Sequence, residues 1–288
     1  MRGSKGHGRH APAHVRHERA AGGAQALASG PSTDWETGSP ADWETGQTAG
    51  PGDAPAVHLQ RGRAVLRGVS RRDRALMVGG ARLRLLVLAC SAEDSTAVDI
   101  ASGSILRLRI PWPEGHAPDL SPFDVIEATL ADDPERDDLA QPEAASVATL
   151  PRHVGSLRGR RARRILAHLA AVHDGPLLGF HGPSAPYWDF RGLRPSVALV
   201  HPTRGPQLIR RPADGSTWVR FGWERDDVWL PVEEARTVRA LNASRRERLA
   251  GKPLSTALGF APYYLLVAVS SPRGGHCYKI CSAVLPRG

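Results

Sequence analysis

Lysine is nearly absent from this 288-residue chain: Lys5, Lys252 and Lys279 are the only three, so 35 of 38 basic residues are arginine. Asparagine occurs once, at Asn242, and methionine twice. Lysine and asparagine codons are AT-rich, so the skew is that of a GC-rich bacterial genome and marks no site by itself. Cysteine is scarce too. Cys90, Cys277 and Cys281 cannot close a disulfide framework, and no pair of them has metal-ligand spacing, so no metal site is expected. Cys277 and Cys281 fall on one expected strand, roughly 13 Å apart at strand rise, which excludes a bond between them. Free buried thiols in a reducing cytoplasm follow as the expectation. Long apolar runs are missing: the longest, Tyr263–Val269, falls far short of the ~20 residues that span a bilayer. Ala20–Gly30 is too rich in Gly and Gln for a signal core. The sequence therefore reads as a cytoplasmic protein with no membrane partner.

Motifs that name a reaction are also lacking. No GxGxxG, phosphate-binding P-loop, HExxH or GxSxG pattern occurs, so neither a cofactor nor a metal is implied.

What the chain does have is a charge imbalance between its halves. From Arg152 onward there are 22 Arg+Lys against 9 Asp+Glu; the preceding 151 residues carry 16 against 20. The net +9 and the pI near 10.3 therefore belong to the C-terminal half. Codon bias explains arginine in place of lysine, but not this placement. A basic surface raises the local concentration of anionic partners.

Residues 1–56 read as a disordered tail, since Gly, Ala, Pro, Ser, Thr and charge offer too little apolar surface to offset chain entropy. The tail holds His7, His10, His14 and His17, then a tandem repeat, Asp34–Ala41 and Asp42–Ala49, identical at six of eight positions. Slipped duplication explains the repeat; an acidic–aromatic interaction motif anchored by Trp35 and Trp43 is the sharper alternative.

Residues 57–151 read as a small all-β unit. Ala64–Gly68, Ala75–Val78, Arg82–Ala89, Thr96–Ile100, Ile105–Ile110, Phe123–Leu130 and Ala145–Leu150 are the expected strands. Ala101–Ser104 turns one hairpin, Pro111-Trp-Pro113 ends a strand, and Asp132–Asp138 is an acidic loop. The run "AVDIASGSILRLRIP", a linker, "LSPFDVIEATL", a polar loop and a closing strand resembles the order of an OB-fold barrel. That resemblance implies nucleic acid or oligosaccharide by analogy alone. The unit is net −3, with 11 basic and 14 acidic residues, unlike a typical nucleic-acid barrel.

Residues 152–288 read as a basic α+β domain. The fold class expected for the whole is α+β: the OB-like barrel, then a mainly antiparallel sheet with two helices, behind the tail. Ala162, Ile165, Leu166, Leu169 and Val172 follow helical spacing, predicting a helix over 157–172. Strands are expected at 176–180, 187–190, 196–201, 206–211, 216–224 and 228–232. Acidic residues at the start and Gly251 and Pro253 at the end predict a second helix over 233–250. A closing hairpin joins Tyr263–Ser270 to Cys277–Leu285, with the two-sided apolar Tyr263–Val269 as a central strand.

The sharpest site signal is Arg158, Arg160, Arg161, Arg163 and Arg164: five cations in seven residues with no acid between them. Each is left without an i, i+4 partner at the helix end whose macrodipole is already positive. Such a run calls for an anion, whether nucleic acid, an acidic protein, or the chain's own segments Asp132–Asp138 and Asp34, Glu36, Asp42 and Glu44. A second candidate surface is the meander, where pairing around Pro212–Gly215 puts Leu208, Val219, Phe221 and Trp223 on one face and Arg211, Trp218 and Arg220 on the other. Arginine beside tryptophan on a sheet can neutralise phosphates and stack bases. The enzyme alternative is a hydrolase-like pocket at 180–190, where His181, Ser184 and Asp189 are the residue types of a nucleophilic triad, though on no strand-to-helix elbow. A binding module for nucleic acid or another polyanion is the function that the residues favour, ahead of that enzyme and of a protein-interaction scaffold.

Overall fold

The computed structural model describes residues 79–91, 94–113, 120–132, 138, 140–171, 175–190 and 194–288. The tail with its histidines and Trp repeat, the strands expected at 64–68 and 75–78, and the middle of the acidic loop lie outside these residues. The described residues belong to one compact unit, Arg61–Gly288. They form a mixed α+β fold that is mostly sheet, with three helices. None of these helices is long and apolar enough to cross a membrane.

Six strands build the first sheet: β1 (Arg82–Cys90), β2 (Ser95–Asp99), β3 (Ile105–Arg109), β4 (Asp124–Thr129), β5 (Ala144–Ser146) and β6 (Arg152–Ser156), in the order β5-β3-β2-β1-β4-β6. The β2–β3 hairpin turns where expected. Asp99 accepts from the backbone N–H groups of Ala101 and Ser102, and Gly103 takes the positive φ of 76° that a side chain resists. β3 and β5 run parallel, and an antiparallel bridge between Leu130 and Val147 links the ends of β4 and β5, curling the sheet. Alternation along β1 then sends Leu85 and Val87 inside the curl with Leu106, Leu108 and Ile126, and Leu86 and Leu88 outside it.

β6 begins at the expected boundary of 151/152, yet pairs with β4 as part of the first sheet. From it the chain enters α1 (Arg160–Leu169). Leu157 N–H donates to the carbonyl of Phe123 at 2.8 Å, which pins this approach. Two further sheets follow. One contains β7 (Ser184–Pro186), β8 (Val197–Val200), β13 (Tyr264–Val269) and β14 (His276–Leu285), in the order β7-β14-β13-β8. The other contains β9 (Arg204–Arg210), β10 (Thr217–Trp223), β11 (Asp226–Pro231) and β12 (Arg248–Ala250), in the order β11-β10-β9-β12. The single sheet expected here is therefore two.

Local chemistry explains the other departures. The segments expected as strands at 176–180 and 187–190 are 3-10 turns, Leu177–Gly179 and Tyr187–Asp189, with Leu178 and Gly179 at φ of 56° and 77°. Prolines precede both turns, and no ladder can pass through consecutive left-handed residues. The helix expected over 233–250 is α2 (Ala235–Ser244) alone. It ends at left-handed Arg245, and β12 leaves to pair with β9. Gly251 and Pro253 begin α3 (Gly251–Leu258) instead of ending α2, since proline is tolerated in a first turn, where its missing N–H has no helical partner.

β13 holds the layers together. Leu265, Val267 and Val269 enter a core with Leu208, Val219, Phe221 and Leu241, while Leu266 and Ala268 enter another with Leu86, Val125, Ala162 and Leu166. The second core thus joins the outside of the first sheet, α1 and the β13 sheet. A bulge at the β13–β14 register shift lets Cys281 and Val284 face the same core. Leu266→Ala should lower the unfolding free energy by about 2–5 kcal/mol in urea titrations, whereas Ile165→Ala, on the half-buried border of α1, should cost clearly less. Equal losses would contradict the central place of β13.

Candidate polyanion-binding surfaces

On α1, Ala162 and Leu166 are buried, Ile165 and Leu169 pack beside them, and Arg160, Arg161, Arg163 and Arg164 are exposed. Arg158 is exposed just ahead of the helix. The apolar stripe therefore turns the arginines outward. Gly159, the N-cap, has no side chain to accept from the first turn, and that turn contains no acid. Among the described residues, none of the five arginines has an ion-pair partner. Like charges at i, i+3 and i, i+4 (Arg160 with Arg163 and Arg164, Arg161 with Arg164) each cost a few tenths of a kcal/mol, and the helix dipole adds to this.

Of the expected internal anions, only Asp132 and Asp138 lie among the described residues, and neither forms an ion pair with these arginines. Asp138 accepts from the hydroxyl of Tyr187 at 3.3 Å and from Ala140 N–H at 2.9 Å, and Asp132 makes no ion pair with α1. Asp34, Glu36, Asp42 and Glu44 lie outside the described residues. Backbone of Gly288 lies against the first turn, so close that a Cβ there would meet Arg163 N at 2.8 Å.

The meander shows the opposite arrangement. Val219 pairs with Leu208, and Leu208, Val219, Phe221 and Trp223 are buried in the core as the alternation predicts. On the outer face, the Arg211 guanidinium lies 5.5 Å from the Trp218 ring centre and that of Arg220 lies 5.2 Å from Trp229. Each arginine also has an acid: Arg211 approaches Asp214 at 3.8 Å, and Arg220 shares Asp227 with Arg204, the latter at 2.8 Å. The Arg220 hydrogen bond, with Arg204 and Arg220 charge added, holds the Asp227 carboxyl below its usual range. Arg248 donates to Gln207 in the same rows. Trp229, Arg204, Asp227 and Arg248 were missed in the sequence. The alternation of 228–232 does place Trp229 outward, but only the β10–β11 register puts it opposite Arg220.

These two surfaces are not one patch. α1 packs against the β8 side of the β13 sheet, where Ala170 bridges to Leu199, and the β9–β12 sheet covers that sheet's other face.

His181, Ser184 and Asp189 are not brought together. His181 and Asp189 are exposed, Ser184 sits on β7 opposite Tyr278, and no hydrogen bond or ion pair joins the three among the described residues. The chemically unusual group in this region is one the sequence did not single out. Lys279, 5% exposed, donates to the carbonyl of Phe180 at 2.6 Å and lies 4.0 Å from that ring's centre. Burial pushes its ammonium down to about 8. Burial also raises the thiols of Cys277, to about 11, and of Cys281, so neither is poised as a nucleophile.

No family model matches the chain, and neither does any curated protein or solved structure.

Because the folded state holds Lys279 at about 8 against an ordinary 10.5, it binds fewer protons than the unfolded chain between those values. Stability contributed through this residue therefore rises with pH across that window. The stability of the native protein relative to Lys279→Met should increase from pH 8 to pH 10 by roughly 1–3 kcal/mol, read from denaturant midpoints. A difference that stays flat would mean that Lys279 titrates normally.

Proposed function

We infer that this protein is a non-enzymatic binding module whose partner is nucleic acid or another extended polyanion, docked on the arginine face of α1. The observation that carries this reading is the five exposed arginines of 158–164, held outward by a packed apolar stripe and without a carboxylate partner among the described residues. Uncompensated cations at a helix N-terminus are stabilised by an anion that reaches several of them at once. Phosphates spaced along a backbone do so, and counterion release supplies the affinity.

Residues 82–147 form an OB-like barrel in this reading. It is supported by the β1-β2-β3 meander, the parallel β3–β5 pair and the Leu130–Val147 bridge. The barrel adds nothing to the choice of partner; its outer face packs on α1 and the β13 sheet. The Arg211–Trp218 and Arg220–Trp229 pairs are the weaker surface for phosphate, since acids within the chain already meet those arginines.

Anisotropy of a labelled DNA duplex across a salt series tests this reading. Binding should weaken steeply with salt, by roughly 0.9 in log–log slope per phosphate contacted. Arg160→Ala, Arg163→Ala and Arg164→Ala together should flatten that slope by about two to three. Absence of binding at low salt, or an unchanged slope in the triple variant, would sink it.

A further inference from the structure

A cleft of roughly 350 Å³ opens between β3 and the turn joining β13 to β14. Its floor comes from strand alternation. Leu106 and Leu108 enter the interior of the curled sheet, so Arg107 and Arg109 point from β3 to the outside. That outside is not open water at Arg107, which is only 5% exposed. Its Nε donates to Asp94 at 3.0 Å, a terminal nitrogen donates to the same carboxylate, and the other donates to the carbonyl of Val269 at 2.6 Å. Each of the three guanidinium nitrogens of Arg107 thus has an acceptor, and the side chain ties the β1–β2 turn to β13 at the cleft.

The remaining cations are at the mouth. Arg109 is exposed and has no ion-pair partner among the described residues; Arg273 reaches Glu233 at 3.4 Å, beyond a strong charge-assisted bond. Three guanidinium groups line the cleft against the carboxylates of Asp94 and Glu233, leaving an excess of one positive charge. Beside them stand neutral donors and acceptors. Gln141, 4% exposed, donates to the Ser271 hydroxyl at 3.3 Å, and Ser270 accepts from Tyr278 N–H at 3.0 Å. No aromatic ring lines the space, so a nucleobase has nothing to stack on, and its volume lies at the small end of ligand sites. The chemistry is that of arginine for an anionic head, with amide and hydroxyl groups for hydroxyls.

We propose that this cleft binds a small hydroxylated anion of the sugar-phosphate class, its charged head between Arg109 and Arg273 and its hydroxyls on Gln141 and Ser271. The site is independent of α1 and of any polymer bound there.

Titration calorimetry on the full chain tests it, with ribose 5-phosphate as the probe and ribose, inorganic phosphate and gluconate as comparisons. Saturable single-site binding of ribose 5-phosphate is expected, at least about tenfold tighter than inorganic phosphate, with ribose alone silent. Arg109→Ala with Arg273→Ala, both on exposed side chains, should weaken it about tenfold or more, while the triple variant on α1 leaves it unchanged. Gluconate bound as tightly as ribose 5-phosphate would support the site and assign the head to a carboxylate. No heat from either anion at about 10 mM, inorganic phosphate bound as tightly as its sugar ester, or a loss that follows the α1 variant instead would each overturn the proposal.

Discussion

Burial of β13 on both faces is the constraint from which the rest of this architecture follows. A strand whose alternate side chains enter two different cores cannot slip in register by one residue without exchanging them. Here Leu265, Val267 and Val269 serve the core under the β9–β12 sheet, and Leu266 and Ala268 serve the core under α1 and the curled first sheet. Its neighbours inherit the same duty: β8 divides Ala198 and Val200 from Val197 and Leu199. Arg107 adds a polar tie to the same strand, through the carbonyl of Val269. The segments on either side of 151/152 thus share a core instead of meeting across a linker.

That layering decides which arginines are free. On the outer face of β9–β11, Arg211 meets Asp214 and the Trp218 ring, and Arg220 meets Asp227 and the Trp229 ring. Exposed pairs of this kind contribute little to stability, but they occupy the cation. Among the described residues no strand brings a carboxylate to the outward side of α1, so the same residue type is left without an ion pair there. One composition bias thus yields two electrostatic outcomes, set by the element on which each arginine lies.

Much of this was legible in periodicity. The stripe Ala162–Leu169 located α1, the alternation of 216–224 separated Val219 and Phe221 from Trp218 and Arg220, and the unbroken apolar run at 263–269 marked a central strand. Other features depend on long-range pairing, which single segments do not encode. β12 reads as the tail of a helix until β9 offers it an edge, and Trp229 meets Arg220 only through the β10–β11 register. Arg107 and Arg109 alternate as an ordinary half-buried strand; that the β13–β14 turn covers one and leaves the other at a cleft mouth is a tertiary fact. Lys279 was masked by the rule that a lone lysine is exposed, which a carbonyl and a ring from the Phe180 turn override.

The central claim is that the uncompensated arginines, and not the self-paired ones, meet the polyanion. Hydrogen–deuterium exchange of the full chain, with and without a saturating DNA duplex, addresses this most directly because it reports position. Slowed exchange concentrated in peptides covering 157–169, with the β9–β11 hairpins unaffected, is the expected result. Protection confined to 204–231, or none at α1 under conditions where the duplex is bound, would contradict it.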